Sequence, residues 1–70
     1  MSDNIYSVSE IVGTSPDGID QAIRNAVARA DKTLRNLDWF ELVTVRGQLG
    51  DDGQVAHYQA TVKIGFRLED

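Results

Sequence analysis

The chain has 70 residues, no cysteine and a single histidine, His57. Disulfides and thiolate metal sites are therefore excluded, no metal is expected, and oligomerisation remains as the way to stabilise so short a domain. The formal net charge is −4 with no basic run, which argues against nucleic acid and anionic membranes as partners. Because Met1–Tyr6 lacks a signal-peptide pattern and no apolar run approaches about 18 residues, we expect one cytoplasmic domain over residues 1–70.

The first predicted element is a strand over residues 5–12, because this segment is rich in β-branched residues. Which of its two faces is buried stays open, since both alternating sets of side chains contain apolar residues. A helix is predicted over residues 16–35, with Ser15 as its N-cap and Pro16 as its first helical residue. Apolar residues recur at helical spacing along it. They include three small residues, Ala22, Ala26 and Ala30.

Two long strands are predicted after the helix, over residues 39–49 and 55–68. A three-residue loop joins them and places Gly53 at the left-handed position that this class of loop favours. That loop pairs Gly50 with Gln54. A two-residue loop is the alternative, and it would move the apolar residues of the first strand to the polar face of the second.

The preferred register pairs Phe40 with Ile64 on the face towards the helix. Trp39 is out of phase with Phe40 and is therefore expected on the outer face, opposite Gly65. The absence of a side chain at Gly65 leaves one flank of the indole open. This register also assigns Val43, Val45 and Gln59 to the outer face, with Gln59 opposite Val45.

The length of the predicted strands favours assembly over a monomer. Fourteen extended residues span about 46 Å, whereas a compact domain of this size is only about 28 Å across. One helix also covers only one face of a three-stranded sheet, which leaves the other face and both edges exposed. We therefore expect the last strand to overhang or to curl strongly, and an overhang needs a neighbouring subunit to cover it.

Four stretches of the sequence carry a family resemblance: Val12-Gly13-Thr14-Ser15, Leu37-Asp38-Trp39-Phe40-Glu41, Tyr58-Gln59 and Gly65-Phe66-Arg67-Leu68-Glu69. On the strength of these stretches, the chain resembles the dodecin family over essentially its whole length, including the order of its predicted elements. The resemblance implies an α+β subunit of β-α-β-β topology, in which a three-stranded antiparallel sheet wraps around one helix. It also implies that subunits assemble into a hollow homododecamer.

Members of this family bind flavins in pairs at two-fold axes, stacked between tryptophans of two subunits. The resemblance identifies Trp39 as the stacking residue and Gln59 as the residue that bonds the edge of the ring. Arg46 and Arg67 match basic positions of bacterial-type members, which favours flavin mononucleotide over riboflavin; surface or interface ion pairs are the alternative role of these arginines. Gly65 completes the expected site, and coenzyme A is a further ligand of some members.

The residues themselves agree with binding better than with catalysis. An isoalloxazine ring needs flat aromatic walls and a few in-plane hydrogen-bonding groups, which Trp39 and Gln59 can supply. The sequence contains no set of nucleophile, base and orienting residue, so we expect a flavin store and no enzyme. Two alternatives stay open: a scaffold protein with Trp39 as an interface anchor, and a small flavin-dependent reductase.

Overall fold

The computed structural model describes residues 3–69, so the predicted domain 1–70 includes Met1, Ser2 and Asp70, which lie outside the described residues. Three strands form one antiparallel sheet in the order β1-β3-β2, with β3 in the centre. One helix follows β1. The α+β class and the β-α-β-β topology are therefore confirmed. The elements are β1 (Tyr6–Ser15), α1 (Ile19–Asp31), β2 (Leu37–Leu49) and β3 (Val55–Arg67).

The junction between β1 and α1 differs from the prediction. Ser15 is the buried last residue of β1 and pairs with Tyr58, and the Asp17 backbone N–H donates to the Ser15 hydroxyl at 3.0 Å. The helix N-cap is Gly18, with φ 152° and no side-chain cap. Ser15 as N-cap and Pro16 as first helical residue were thus wrong, because the strand ladder holds this backbone extended while the hydroxyl closes a local turn.

The other end of α1 is also shorter than predicted. The helix ends at Asp31 instead of residue 35, and one further turn is closed by the Leu34 N–H, which donates to the Ala30 carbonyl at 2.9 Å. Asn36 then adopts φ 62°, a left-handed conformation that asparagine tolerates better than most other residues. This residue turns the chain into β2.

The core lies between α1 and the two strands β1 and β3. The three small helix residues predicted to pack on the sheet are all buried. Gly13 on β1 makes their close approach feasible, because a Cβ there would clash with the Ala22 carbonyl and lie 2.8 Å from the Ala26 Cβ. Ile11 packs against this core, which settles the face of β1 that turns inward. The buried apolar residues are Ala22, Ala26, Ala30, Ala60, Val62 and Ile64.

The helix hardly reaches β2. Phe40 pairs with Ile64 as predicted, yet it is 51% exposed, and Leu42 is 43% exposed, because α1 makes few contacts with this strand. The subunit measures 58 × 20 × 13 Å, with a radius of gyration of 14.6 Å against about 11 Å for a compact domain of this length. The predicted overhang of the hairpin is therefore confirmed, and it leaves apolar surface for another subunit to cover.

The turn of the β2–β3 hairpin matches the prediction. Gly53 has φ 77°, and the Gly50 N–H donates to the Gln54 carbonyl at 2.8 Å. The Gln54 N–H in turn donates to the Asp52 carboxylate at 3.0 Å, which holds the loop closed. The three-residue loop is thus confirmed over the two-residue alternative.

Two irregularities inside the hairpin displace its register. Ala56 on β3 and Val43 on β2 each lack a cross-strand partner. Residues 44–48 of β2 therefore pair with β3 residues one position further along than the predicted register requires. Residues 39–42, which precede Val43, pair in the predicted register. Since successive side chains point to opposite faces, a one-residue shift exchanges the faces of the intervening segment.

Candidate functional site

The face of the sheet opposite α1, called the outer face here, is built from rows of side chains that cross all three strands. From Tyr58 to Phe66, each residue of the central strand β3 has one partner on β1 and one on β2, and these share its face. The rows are Val8–Gly65–Trp39, Glu10–Lys63–Glu41, Val12–Thr61–Thr44 and Thr14–Gln59–Arg46.

Trp39 lies opposite Gly65, as predicted. Asp38, the residue before it, lies outside the regular ladder, and such bulges re-aim the side chains that follow them. A Cβ on Gly65 would lie 2.5 Å from the indole Cη2 atom and closer still to Cε2 and Cζ2. The six-membered ring therefore rests directly above the glycine backbone. Because Trp39 is still 42% exposed, the indole remains open to a ligand on its other side.

Tyr6 is a second aromatic residue at this place, and no pattern in the sequence indicated that it would lie there. Its ring centroid lies 5.0 Å from that of Trp39, at an interplanar angle of 61°, which is an edge-to-face contact. The two residues lie on β1 and β2, which do not pair with each other. The contact exists because the indole extends across β3 above Gly65, so only the strand order could have revealed it.

Arg67 lies at the same end of the outer face as Trp39. It pairs with Tyr6, and its backbone is held by Asn36, another residue that was not singled out. The Arg67 N–H donates to the Asn36 carbonyl at 3.0 Å, and the Asn36 side-chain amide donates to the Arg67 carbonyl at 3.2 Å. The Arg67 side chain is exposed, so its guanidinium is free to meet a ligand or a neighbouring subunit.

Gln59 and Arg46 lie together at the opposite end. Gln59 was predicted opposite Val45, which is wrong: the register shift places Arg46 opposite Gln59 and moves Val45 to the helix side, opposite Ala60. In a regular ladder Arg46 and Gln59 would lie on opposite faces. Gln59 is half-buried and Arg46 is exposed. The irregular ladder thus joins an amide and a guanidinium that simple alternation separates.

The five residues expected to bind a ligand consequently form two groups on one subunit. Trp39, Gly65 and Arg67 belong to one end of the outer face, and Gln59 and Arg46 belong to the other. Gly65 lies six positions after Gln59 along β3, which corresponds to about 20 Å of extended chain. A ligand much shorter than this distance cannot contact both groups of the same subunit.

The middle of the outer face is charged, with Lys63 between Glu10 and Glu41 in one row. Within residues 3–69, no group of three or more His, Asp or Glu side chains is placed to hold a metal ion. No helix in this part of the chain has the length and apolar character needed to cross a membrane.

Comparison with known proteins places these observations in a family. The dodecin family model matches residues 5–69. The dodecin of Thermus thermophilus is 52% identical over 66 residues, which is 94% of each chain. The dodecin structure from Streptomyces davaonensis has a TM-score of 0.93 at 64% identity, covering 99% of this chain and 100% of the other. That from Streptomyces coelicolor has a TM-score of 0.93 at 66% identity, covering 100% and 99%.

A more distant similarity is to a calcium dodecin of Mycobacterium tuberculosis, described as a calcium-chelating antigen with a novel calcium-binding site. It is 25% identical, with a TM-score of 0.81 over 93% of this chain and 91% of that one. Family model, sequence identity and fold agree over almost the whole length of the chain. This chain belongs to the dodecin family.

Proposed function

We propose that the chain is the subunit of a non-catalytic flavin store, a homododecamer that sequesters flavin mononucleotide between stacked tryptophans. The observation that carries this proposal is the placement of Trp39, whose indole rests on the Gly65 backbone while remaining 42% exposed on the outer face. Such a surface suits a flat aromatic ligand. By analogy with nucleobases, stacking on it is worth about 1–3 kcal/mol.

The geometry of one subunit supports a site that is shared between subunits. Trp39 is the only tryptophan in the sequence, and Gly65 lies against its inner side, so a second indole has to come from another copy. Gln59 is about 20 Å along the strand from Gly65, whereas three fused rings span roughly 10 Å. We infer that each flavin stacks on Trp39 of one subunit and receives the Gln59 amide from another.

The polar residues of the outer face fit the rest of this ligand. The Gln59 amide offers both a donor and an acceptor for the edge of the ring. Arg46 and Arg67 offer guanidinium groups for the dianionic phosphate, which supports flavin mononucleotide over riboflavin. The family resemblance extends the proposal to coenzyme A as an additional ligand, which calorimetric titration with coenzyme A tests separately.

The bound flavin would bring redox activity and photochemistry, and the residues of the chain would restrain both. A ring covered on its two faces is closed to an approaching hydride donor and to solvent. Trp39 covers a face of the ring, Gln59 orients the edge of the ring, and Arg46 and Arg67 hold the phosphate. None of these residues forms a nucleophile–base pair with another. The arrangement therefore supports storage over reduction.

Titration of the purified oligomer with flavin mononucleotide and riboflavin, followed by flavin emission, tests the proposal. We expect emission to be quenched with a stoichiometry of one flavin per chain and tighter binding of flavin mononucleotide. Protein that binds neither flavin would support the scaffold alternative, and bleaching of bound flavin by NADPH would support the reductase. Light scattering should give a mass near twelve subunits, and a folded monomer at micromolar concentration would overturn the assembly.

A further inference from the structure

We propose that Tyr6 is a positioning residue for Trp39, an inference that rests on the proposed function and deepens it. The tyrosine ring meets the indole edge to face, with centroids 5.0 Å apart and planes inclined by 61°. This is the geometry that the opposite charge distributions of ring face and ring edge favour. Tyr6 thus restricts the rotation of the indole from the side, while the Gly65 backbone contacts the face of the indole that is turned towards the sheet.

The indole needs such a lateral contact because of its surroundings. A Trp39 side chain that lies above a glycine has no neighbouring side chain at that position of β3 to restrict its rotamer. Tyr6, on the far side of β3, supplies the restriction. With the indole held in one orientation, a ring that stacks on it avoids the entropic cost of ordering it at the moment of binding.

Tyr6 is itself well placed for this role. Its backbone pairs with Arg67, and Arg67 is bonded on both its N–H and its carbonyl to Asn36, so the end of the β1–β3 ladder is tied to the entry of β2. Tyr6 is 38% exposed, slightly less than Trp39 itself. The aromatic pair therefore lies at the surface on a backbone that is fixed on both sides.

The single tryptophan of the sequence makes this role measurable without any ligand. Time-resolved anisotropy of Trp39 emission is compared in the ligand-free oligomer for the wild type, Tyr6→Leu and Tyr6→Phe. The control is Val12→Ala, which changes an exposed residue of the same strand and the same face, about 20 Å from Tyr6. Each variant is then titrated with flavin mononucleotide.

We expect Tyr6→Leu to increase the fast depolarisation of Trp39 and to weaken flavin mononucleotide binding by about 2- to 12-fold, which corresponds to an aromatic pair energy of roughly 0.5–1.5 kcal/mol. Tyr6→Phe should leave both quantities unchanged, because it keeps the ring edge and removes only the hydroxyl. Val12→Ala should behave as the wild type. If the leucine variant fails to assemble, Tyr6→Val makes the same comparison with a side chain that strands favour.

Two results would overturn the inference. Unchanged anisotropy in Tyr6→Leu would show that the indole is held without the tyrosine. Weaker binding by Tyr6→Phe with native anisotropy would show that the hydroxyl contacts the ligand directly and that the residue does not act through Trp39. Should the wild type bind no flavin, the proposed function fails, while the anisotropy comparison still decides whether Tyr6 positions the indole.

Discussion

The glycine beneath the indole offers the sharpest test of the site. Gly65 does not have the positive φ of Gly18 and Gly53, so its backbone can accept alanine. The added Cβ, however, would lie 2.5 Å from Cη2 of Trp39, whereas ordinary contact begins at 3.4 Å. The ring would have to move by at least about 0.9 Å, the difference between the two distances, and further to clear Cε2 and Cζ2. Gly65→Ala therefore lifts or rotates the stacking surface.

We expect Gly65→Ala to weaken flavin mononucleotide binding. Complete loss of a stacking contribution of roughly 1–3 kcal/mol would correspond to a decrease in affinity of about 5- to 150-fold. The fold and the oligomer should survive, because the added methyl group lies on the outer face of the sheet, whereas the core that contains Ile64 lies on the opposite face. Affinity is measured by quenching of flavin emission. Light scattering and thermal unfolding of the same samples report the assembly and its stability.

A double-mutant cycle isolates the cause of the loss. If the methyl group acts by displacing the indole, Gly65→Ala should have little further effect in a chain that already carries Trp39→Ala. Native affinity in the single Gly65→Ala variant would refute the placement of the indole above the glycine. An equal loss in both backgrounds would refute the mechanism, since the effect would then not depend on Trp39.

Three further predictions concern the core, the phosphate and the sharing of the site. Gly13→Ala should destabilise the subunit by about 1–3 kcal/mol, because the helix must move away from the new Cβ; an unchanged melting temperature would contradict this packing. Arg46→Ala or Arg67→Ala should weaken flavin mononucleotide more than riboflavin, and more strongly at low salt, whereas an equal loss for both flavins would show that the arginines are structural. Co-assembly of Trp39→Ala chains with Gln59→Ala chains should restore part of the binding that each variant lacks, and zero recovery at every mixing ratio would place both residues of a site on one subunit.

Local features of the sequence were sufficient for the turn and for the pairing of Trp39 with Gly65. Glycine supplies the positive φ that the three-residue loop needs at Gly53, and alternation along β3 separates the buried face from the outer one. The pairing of Trp39 was correct although the hairpin is irregular, because the extra residues Ala56 and Val43 lie on opposite strands and their displacements cancel. The family resemblance and the choice of Trp39 as the stacking residue depend on such local patterns.

Tertiary structure decided the features that depend on distant strands. The start of α1 was misplaced because Ser15 remains in the ladder with Tyr58, and no residue near Ser15 indicates that pairing. The face on which Arg46 lies depends on the absence of a cross-strand partner for Val43. A β-branched residue within a strand gives no local indication of such an irregularity. The contact of Tyr6 with Trp39 requires β3 to lie between β1 and β2. Residue periodicity specifies which side of a strand a side chain occupies, but the neighbours it meets there are set by strand order and register, which result from packing of the whole chain.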